Sequence, residues 1–355
     1  MQNEAVGAEP NTGLDGVLDG VLDVGRVAGP GGVEPAATGL GLAHELGRAL
    51  TVSWRGRELF RYVYRPWEPR IESPRPYLHP LRTLGGDLVS LYRPHDHTWH
   101  KGISWSLSNV GAENFWGGRT YLRGAGYTQL DNNGTQRHVG FARLEATPAE
   151  VDVVEHLEWV TQAGGVLLTE ERTLRVRAHP DLGAWQLTFA TRMHNPADRT
   201  AADRAADDHT AGNATAGDAT LAFGSPTTKG REAAGYSGLL WRGPRSFSGG
   251  PVVTPQGVGG NELMGWRGPW LGFVGKHDGA GTASTLVLVD HAANFCHPTR
   301  WFVRSDVFAA VCPAPFYDTE YGLAAGETLA LGYDVLIADG PRDVEGCGLL
   351  VSRAG

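Results

Sequence analysis

Hydrophobic and polar residues alternate over short stretches along most of this chain. The clearest case is residues 151–160, Val-Asp-Val-Val-Glu-His-Leu-Glu-Trp-Val, followed by Ala163-Gly164-Gly165 and a second alternating run over 166–176. A period of two puts successive side chains on opposite faces, so this stretch predicts a long hairpin with one apolar face. Similar runs predict strands at 50–54, 58–64, 87–92, 102–107, 139–146, 185–193, 270–275, 285–290, 301–304, 307–312 and 328–337. No helical period persists for three turns. About fifteen short strands joined by turns predict an all-β fold, a large antiparallel β-supersandwich. A cupin-like double-stranded β-helix is the alternative.

The pattern fails in two places. Residues 1–40 are rich in Gly, Ala, Val and Asp, repeat Leu-Asp-Gly-Val at 14–17 and 18–21, and contain no aromatic residue. Too little apolar surface is present to offset ordering entropy, so a disordered leader is expected there. Residues 198–220 degenerate into Ala, Asp, Thr and Gly and read as a low-complexity loop. One β-sandwich domain is expected over 45–342, with 343–355 as a C-terminal tail.

Composition narrows the function classes. The 355 residues include 50 glycines and 21 prolines, which suits many turns, and 41% hydrophobic residues, enough for a sizeable core. A net charge of -8 argues against a nucleic-acid or anionic-membrane partner and favours a small ligand. No run of about 18 apolar residues exists, so no membrane span is expected. Met1-Gln2-Asn3-Glu4 lacks the basic and apolar regions of a secretory signal. The three cysteines, Cys296, Cys312 and Cys347, show no CxxC spacing and read as reduced thiols of a cytoplasmic protein. No phosphate-binding G-x-x-x-x-G-K-[ST] loop, G-x-G-x-x-G turn or G-x-S-x-G elbow occurs.

Candidate chemistry concentrates at Arg93-Pro94-His95-Asp96-His97-Thr98-Trp99-His100-Lys101-Gly102. Histidine titrates nearest neutrality and is the commonest metal ligand. Read as a strand end, the tract puts His95 and His97 on one face, with His100 able to swing back. These three imidazoles are candidates for acid-base catalysis or for a divalent metal site, which Glu113 or His297 would complete. No other cofactor is expected. Glu113, Asn114, Trp116 and Arg119 lie in a Gly-rich loop, and a carboxylate, an amide, an indole and a guanidinium together suit a sugar. Trp99 and Trp105 are further aromatic candidates. Lys229, Arg231 and Glu232 follow a Ser-Pro-Thr-Thr turn and read either as ligand contacts or as an ion-pairing loop. His297 and Arg304 are expected to face the histidine tract from another strand, and Asp318 or Glu320 to supply an opposing carboxylate.

The stretch from Arg75-Pro76-Tyr77-Leu78-His79-Pro80-Leu81 through the histidine tract to Glu113-Asn114-Phe115-Trp116-Gly117-Gly118 resembles a bacterial family called PmoA-like. The blocks Gly224-Ser225-Pro226-Thr227-Thr228-Lys229-Gly230-Arg231-Glu232, 235–245 and 297–304 resemble it too. That name implies a subunit of a membrane-embedded, methane-oxidising monooxygenase, which requires apolar helices of about 20 residues. A looser likeness links 323–329 and 333–340 to the closing strand of galactose-mutarotase-like supersandwiches. Those folds imply a carbohydrate-like ligand and acid-base chemistry by histidines and carboxylates.

Three readings follow. The first is a carbohydrate-active enzyme that hydrolyses, eliminates or epimerises a sugar or sugar-derived substrate. The second is a metal-dependent oxygenase or isomerase built on His95, His97 and His100. The third is a non-catalytic sugar-binding module.

Overall fold

The long hairpin forms as strands Glu150–Val160 and Val166–His179, paired antiparallel from Glu150↔Arg177 to Val160↔Val166. It belongs to a nine-stranded antiparallel sheet. In spatial order the strands are Gly257–Gly259, Val252–Thr254, Trp270–Lys276, Ala283–Asp290, Thr328–Asp339, Ala184–His194, Val166–His179, Glu150–Val160 and Thr135–Ala146. A second sheet has eight strands: Leu40–Glu45, Ala49–Trp54, Arg57–Val63, Tyr77–Leu81, Ile103–Ser106, Gly238–Arg242, Ala310–Ala314 and Arg300–Arg304. Neither sheet closes into a barrel, so the cupin-like alternative is set aside and the fold is an antiparallel β-sandwich. This computed structural model describes residues 38–197 and 220–354, all within one compact unit spanning Ala36–Gly355. The expected leader, up to residue 37, and almost all of the 198–220 loop lie outside the described residues.

The inner faces of the two sheets meet in one apolar core. Phe60 stacks on Trp185 at 5.5 Å, Trp105 meets Phe189 at 5.8 Å, and Trp241 meets Phe273 at 5.3 Å. Each pair joins a strand of one sheet to a strand of the other. Fully burying such a side chain contributes about 1.5–3 kcal/mol, so each pair adds substantially to sheet-to-sheet adhesion. Trp105 is therefore a core residue.

Alternation also creates two outer apolar faces. On the nine-stranded sheet, Trp270, Val287 and Leu336 point away from the core and are covered by the helix Val344–Val351 through Cys347 and Leu350. That segment was expected to be a tail. Asp343 caps the helix by accepting a hydrogen bond from the Gly346 amide at 2.8 Å, and the three-residue spacing of Cys347 and Leu350 gives it one buried side. On the eight-stranded sheet, Leu240, Phe302 and Cys312 face outward, while their neighbours Trp241, Trp301 and Val311 face the core.

Two further expectations change. Ordered structure begins before residue 45, because Leu40–Glu45 pairs with Ala49–Trp54. Residues 87–92 form no continuous strand. Val89 donates to Leu81 and Leu91 to Arg242, but Arg93 turns the chain with φ 46° before a ladder can extend. In the middle of the eight-stranded sheet, Ile103–Ser106 lies beside Gly238–Arg242. That pairing brings the histidine tract next to segments more than 130 residues downstream in sequence.

Candidate active site

The histidine tract is a double turn, not a strand. Tyr92 bridges Lys101, the His97 amide donates to Pro94, and the His100 amide donates to His97, each at 2.9 Å. The period of two therefore fails here. His97 and His100, three residues apart, stack with ring centroids 4.8 Å apart and planes 17° from parallel. His95 is exposed and turns away, with Nδ1 accepting from Arg245 at 3.1 Å. Stacked rings present faces to each other rather than converging lone pairs, and His95 turns away, so the arrangement does not suit the metal alternative. Among the described residues, no group of three or more His, Cys, Asp or Glu side chains is placed to hold a metal ion.

The turn rests on a buried polar base. Arg75 donates to the Trp99 carbonyl at 2.7 Å, to Ser106 Oγ at 2.7 Å and to the Glu72 carbonyl at 3.0 Å. Burial pulls the Arg75 guanidinium down to about 9, against the pull of Glu68 and Glu72. Lys101 Nζ, fully buried, lies 3.3 Å from Glu72 and 3.8 Å from Glu68. Burial, reinforced by Arg75, lowers it to about 8, although both carboxylates favour its charge. Arg75 thus supports the cleft from beneath, and His79 hydrogen-bonds Ser90.

Above this base lies a cavity of about 420 Å³ on the outer face of the eight-stranded sheet. His97, His100, Trp99 and Trp116 form one side, Tyr127 and Tyr236 another, and Phe302 and Phe308 a third. Arg119, Arg231, Arg304 and Gln129 supply polar groups. No aspartate or glutamate lines it among the described residues. The glycine pair at 117–118 has a defined purpose here. Both have positive φ (102° and 71°), and a Cβ at Gly118 would sit 3.0 Å from the Trp99 ring. Glycine lets the indole lie flat against the chain.

The electrostatics separate the two stacked imidazoles. Asp96 Oδ2 accepts from His97 Nδ1 at 3.2 Å, and Asp96 Oδ1 accepts from Arg245 at 3.0 Å. Burial pushes the Asp96 carboxyl up, but His97, its own backbone amide, Arg245 and Arg242 outweigh that and hold it well below its ordinary range. His97 with its Nδ1 proton on Asp96 leaves Nε2 as a free acceptor. Arg242 donates to His100 Nδ1 at 3.4 Å, which leaves the His100 proton on Nε2 as a donor. Burial lowers the pKa of both rings, with His100, fully enclosed, held well below neutrality by burial and by His97 and Arg242. At neutral pH the cavity thus holds one basic imidazole and one neutral hydrogen-bond donor.

Several candidates lie elsewhere. Glu113 is buried beneath the loop, and its Oε2 accepts from the Gln162 amide at 2.9 Å. Asn114 closes a side-chain turn by accepting from the Trp116 and Gly117 amides, each at 2.9 Å. It shapes the loop without lining the main cavity. Lys229 and Glu320 pair with each other at 2.8 Å, and Glu232 is exposed outside the cavity. Asp318 pairs with Arg300 at 2.8 Å. His297 does not line the cavity; its Nδ1 donates to Asp290 at 2.8 Å. Beside it, burial raises the Cys296 thiol to about 11, unlike an activated nucleophile.

Of the residues singled out in the sequence, the structure gathers His97, His100, Trp99, Trp116, Arg119, Arg231 and Arg304 on one wall system. It adds Ile71, Tyr127, Gln129, Tyr236, Phe302 and Phe308. Phe302 had a readable signal, since it alternates with the core residues Trp301 and Val303 and shares a face with Arg304. Tyr127 and Gln129 had none, because they reach the site from the short hairpin Thr120–Leu122 and Gly126–Thr128 and the turn beyond it.

Among solved structures, a galactose 1-epimerase from Lactobacillus acidophilus NCFM matches with 10% identity and a TM-score of 0.38, over 84% of this chain and 97% of that one. An α-galactosidase from Lactobacillus brevis matches with 8% identity and a TM-score of 0.35, over 82% of this chain. A GH36 α-galactosidase from Geobacillus stearothermophilus matches with 12% identity and a TM-score of 0.35, over 85% of this chain. This chain spans 38% and 40% of those two galactosidase chains. No curated protein matches the sequence. Among the described residues no helix is long and apolar enough to cross a membrane, and the matching family carries no oxygenase designation. That family, DUF6807, is described as a family of unknown function; it matches residues 49–348, and the chain belongs to it.

Proposed function

We propose that the cavity binds a sugar-derived small molecule and moves a proton on it, with His97 as the base and His100 as a neutral hydrogen-bond donor. The carrying observation is the pair of stacked imidazoles whose Nδ1 atoms meet Asp96 on one ring and Arg242 on the other, partners that favour opposite tautomers. A free Nε2 on His97 takes a proton from a carbon acid or hydroxyl, and the ionised Asp96 stabilises the imidazolium that results. The Nε2–H of His100 donates to the oxygen on which charge develops. Protonation of the opposite face of the same carbon by solvent, with the His97 imidazolium giving its proton back to water, completes an epimerisation; expulsion of a leaving group that takes the proton from the His97 imidazolium completes an elimination.

The walls favour a sugar. A volume of about 420 Å³ accommodates a molecule of one or two rings, and aromatic faces pack on the C–H faces of a pyranose while Gln129 and the imidazoles meet hydroxyls. Hydrolysis by paired carboxylates needs two acidic groups flanking the bond, and none lines the cavity among the described residues. Proton transfer without hydrolysis is therefore the favoured reaction class.

The test is turnover on a panel of aldoses, uronates and sugar lactones, followed by polarimetry and by proton exchange with deuterated solvent. His97→Gln should lower kcat about 10²-fold or more with the fold intact. The rate should rise with pH as His97 loses its proton, because the neutral ring is the active form. Turnover that persists unchanged in His97→Gln, or a wild type that binds sugars and exchanges no proton, removes the catalytic reading. The second of those outcomes leaves a sugar-binding module.

A further inference from the structure

The cavity has a charge opposite to that of the chain around it. The sequence carries 39 acidic and 31 basic residues, yet the cavity is lined by three arginines and no carboxylate among the described residues. Arg231 donates to the Tyr127 hydroxyl and lies 4.8 Å from the centre of that ring. Arg304 lies 5.1 Å from the Phe302 ring centre and donates to the Ala233 carbonyl at 3.4 Å. Arg119 is exposed at the rim, directly after the glycine pair that seats Trp99. None of the three is ion-paired to a carboxylate among the described residues, while the neighbouring Arg242, Arg245 and Arg300 all are. Arg231 and Arg304 line the same cavity, and burial and the like charge of Arg231 weaken the hold of Arg304 on its proton.

Holding like charges together in a half-buried site costs free energy that an anion between them recovers. Guanidinium groups match carboxylate and phosphate oxygens with paired, charge-assisted hydrogen bonds. Aromatic rings beneath Arg231 and Arg304 fix the planes of both forks in advance. We infer that this cavity selects a ring-shaped ligand carrying an anionic substituent, a sugar acid or a sugar phosphate, with Arg231, Arg304 and Arg119 as the anion-holding residues. The inference rests on the sugar reading of the same site and specifies its substrate class.

The intact protein is titrated with sodium glucuronate, glucose 6-phosphate, glucose, benzoate and inorganic phosphate, with affinity read by calorimetry and by quenching of tryptophan fluorescence. At least one anionic sugar should bind tenfold or more tightly than glucose, and the advantage should shrink as salt is raised. The better of the two arms identifies the anion. Arg231→Gln and Arg304→Gln should each bring the anionic sugar close to the level of glucose. Equal binding of glucose and both anionic sugars overturns the inference while leaving a sugar site. So does the absence of binding by either anionic sugar, or an advantage that both variants retain. Benzoate or inorganic phosphate binding as tightly as the anionic sugars would keep the anion site and remove the sugar. Where a variant fails to fold by circular dichroism, the salt dependence of the wild type alone decides.

Discussion

Arg172 lies between the two large sheets and Arg304 lies on the cavity wall, and the surroundings of the two differ chiefly in carboxylates. Arg172 is buried with Glu170, whose oxygens it meets at 2.8 Å twice. Its remaining donors reach Gln136 at 2.8 Å and Tyr62 at 3.3 Å, and Glu170 also accepts from Trp159 and Thr191. Every charge there is compensated within the protein. Arg304 has an aromatic ring beneath it, a carbonyl beside it and a second cation nearby. The same residue type is thus spent on structure in one place and left available in the other. Arg172 is fully buried and compensated, whereas Arg304 is only partly buried and has no carboxylate partner among the described residues.

Breaking the interior pair should have the largest effect. Glu170→Leu leaves a buried guanidinium without its counter-charge and should cost about 3–5 kcal/mol, read as a fall in the urea midpoint. A loss under 1 kcal/mol would mean that the pairing distinction carries no energetic weight.

Acidification probes the histidines, which divide in the same way. The interior His138 has Glu155 at 2.6 Å, whereas His97, His100 and His79 are held below their ordinary pKa by burial. For those three, the unfolded chain takes up protons that the folded protein refuses. Stability is therefore full above pH 6.5 and falls as the pH drops toward the folded values. His79, lowered from 6.5 to about 4, should alone remove up to about 3 kcal/mol by pH 4. His79→Gln should flatten that part of the stability-pH curve, and an unaltered slope would show that the ring stays solvated.

A smaller effect is expected at the loop. Gly118→Ala forces a side chain into the left-handed region and against the Trp99 ring. It should cost about 1–2 kcal/mol and shift the tryptophan emission. Unchanged emission would separate Trp99 from the glycine pair. The smallest effect belongs to Arg304→Gln, which breaks no ion pair and should leave stability within about 0.5 kcal/mol. A large loss there would place Arg304 with Arg172, among the structural arginines.

The strands that alternate strongly were legible before any coordinates, because the period of two survives wherever one face is buried. The hairpin around Gly164 and the closing strand Thr328–Asp339 are examples. Leu40–Glu45 was not legible, since its exposed half carries no apolar partner pattern and it borders a low-complexity segment. At the site, residue type was readable and geometry was not. His97 and His95 share sequence spacing with a strand, but the turns at Pro94 and His97 rotate them apart. Tyr236 and Phe308 join the cavity only because distant strands pair, a long-range event that no local pattern encodes.

The strand Arg300–Arg304 carries a division of labour with evolutionary consequences. Trp301 and Val303 face the core, while Phe302 and Arg304 face the cavity. Substitutions at 302 and 304 change the cavity wall without touching the packing that holds the sheets together. Those at the odd positions do the reverse. A lineage built on this chain can therefore reshape the cavity one side chain at a time, with foldability drawn from residues that never line it.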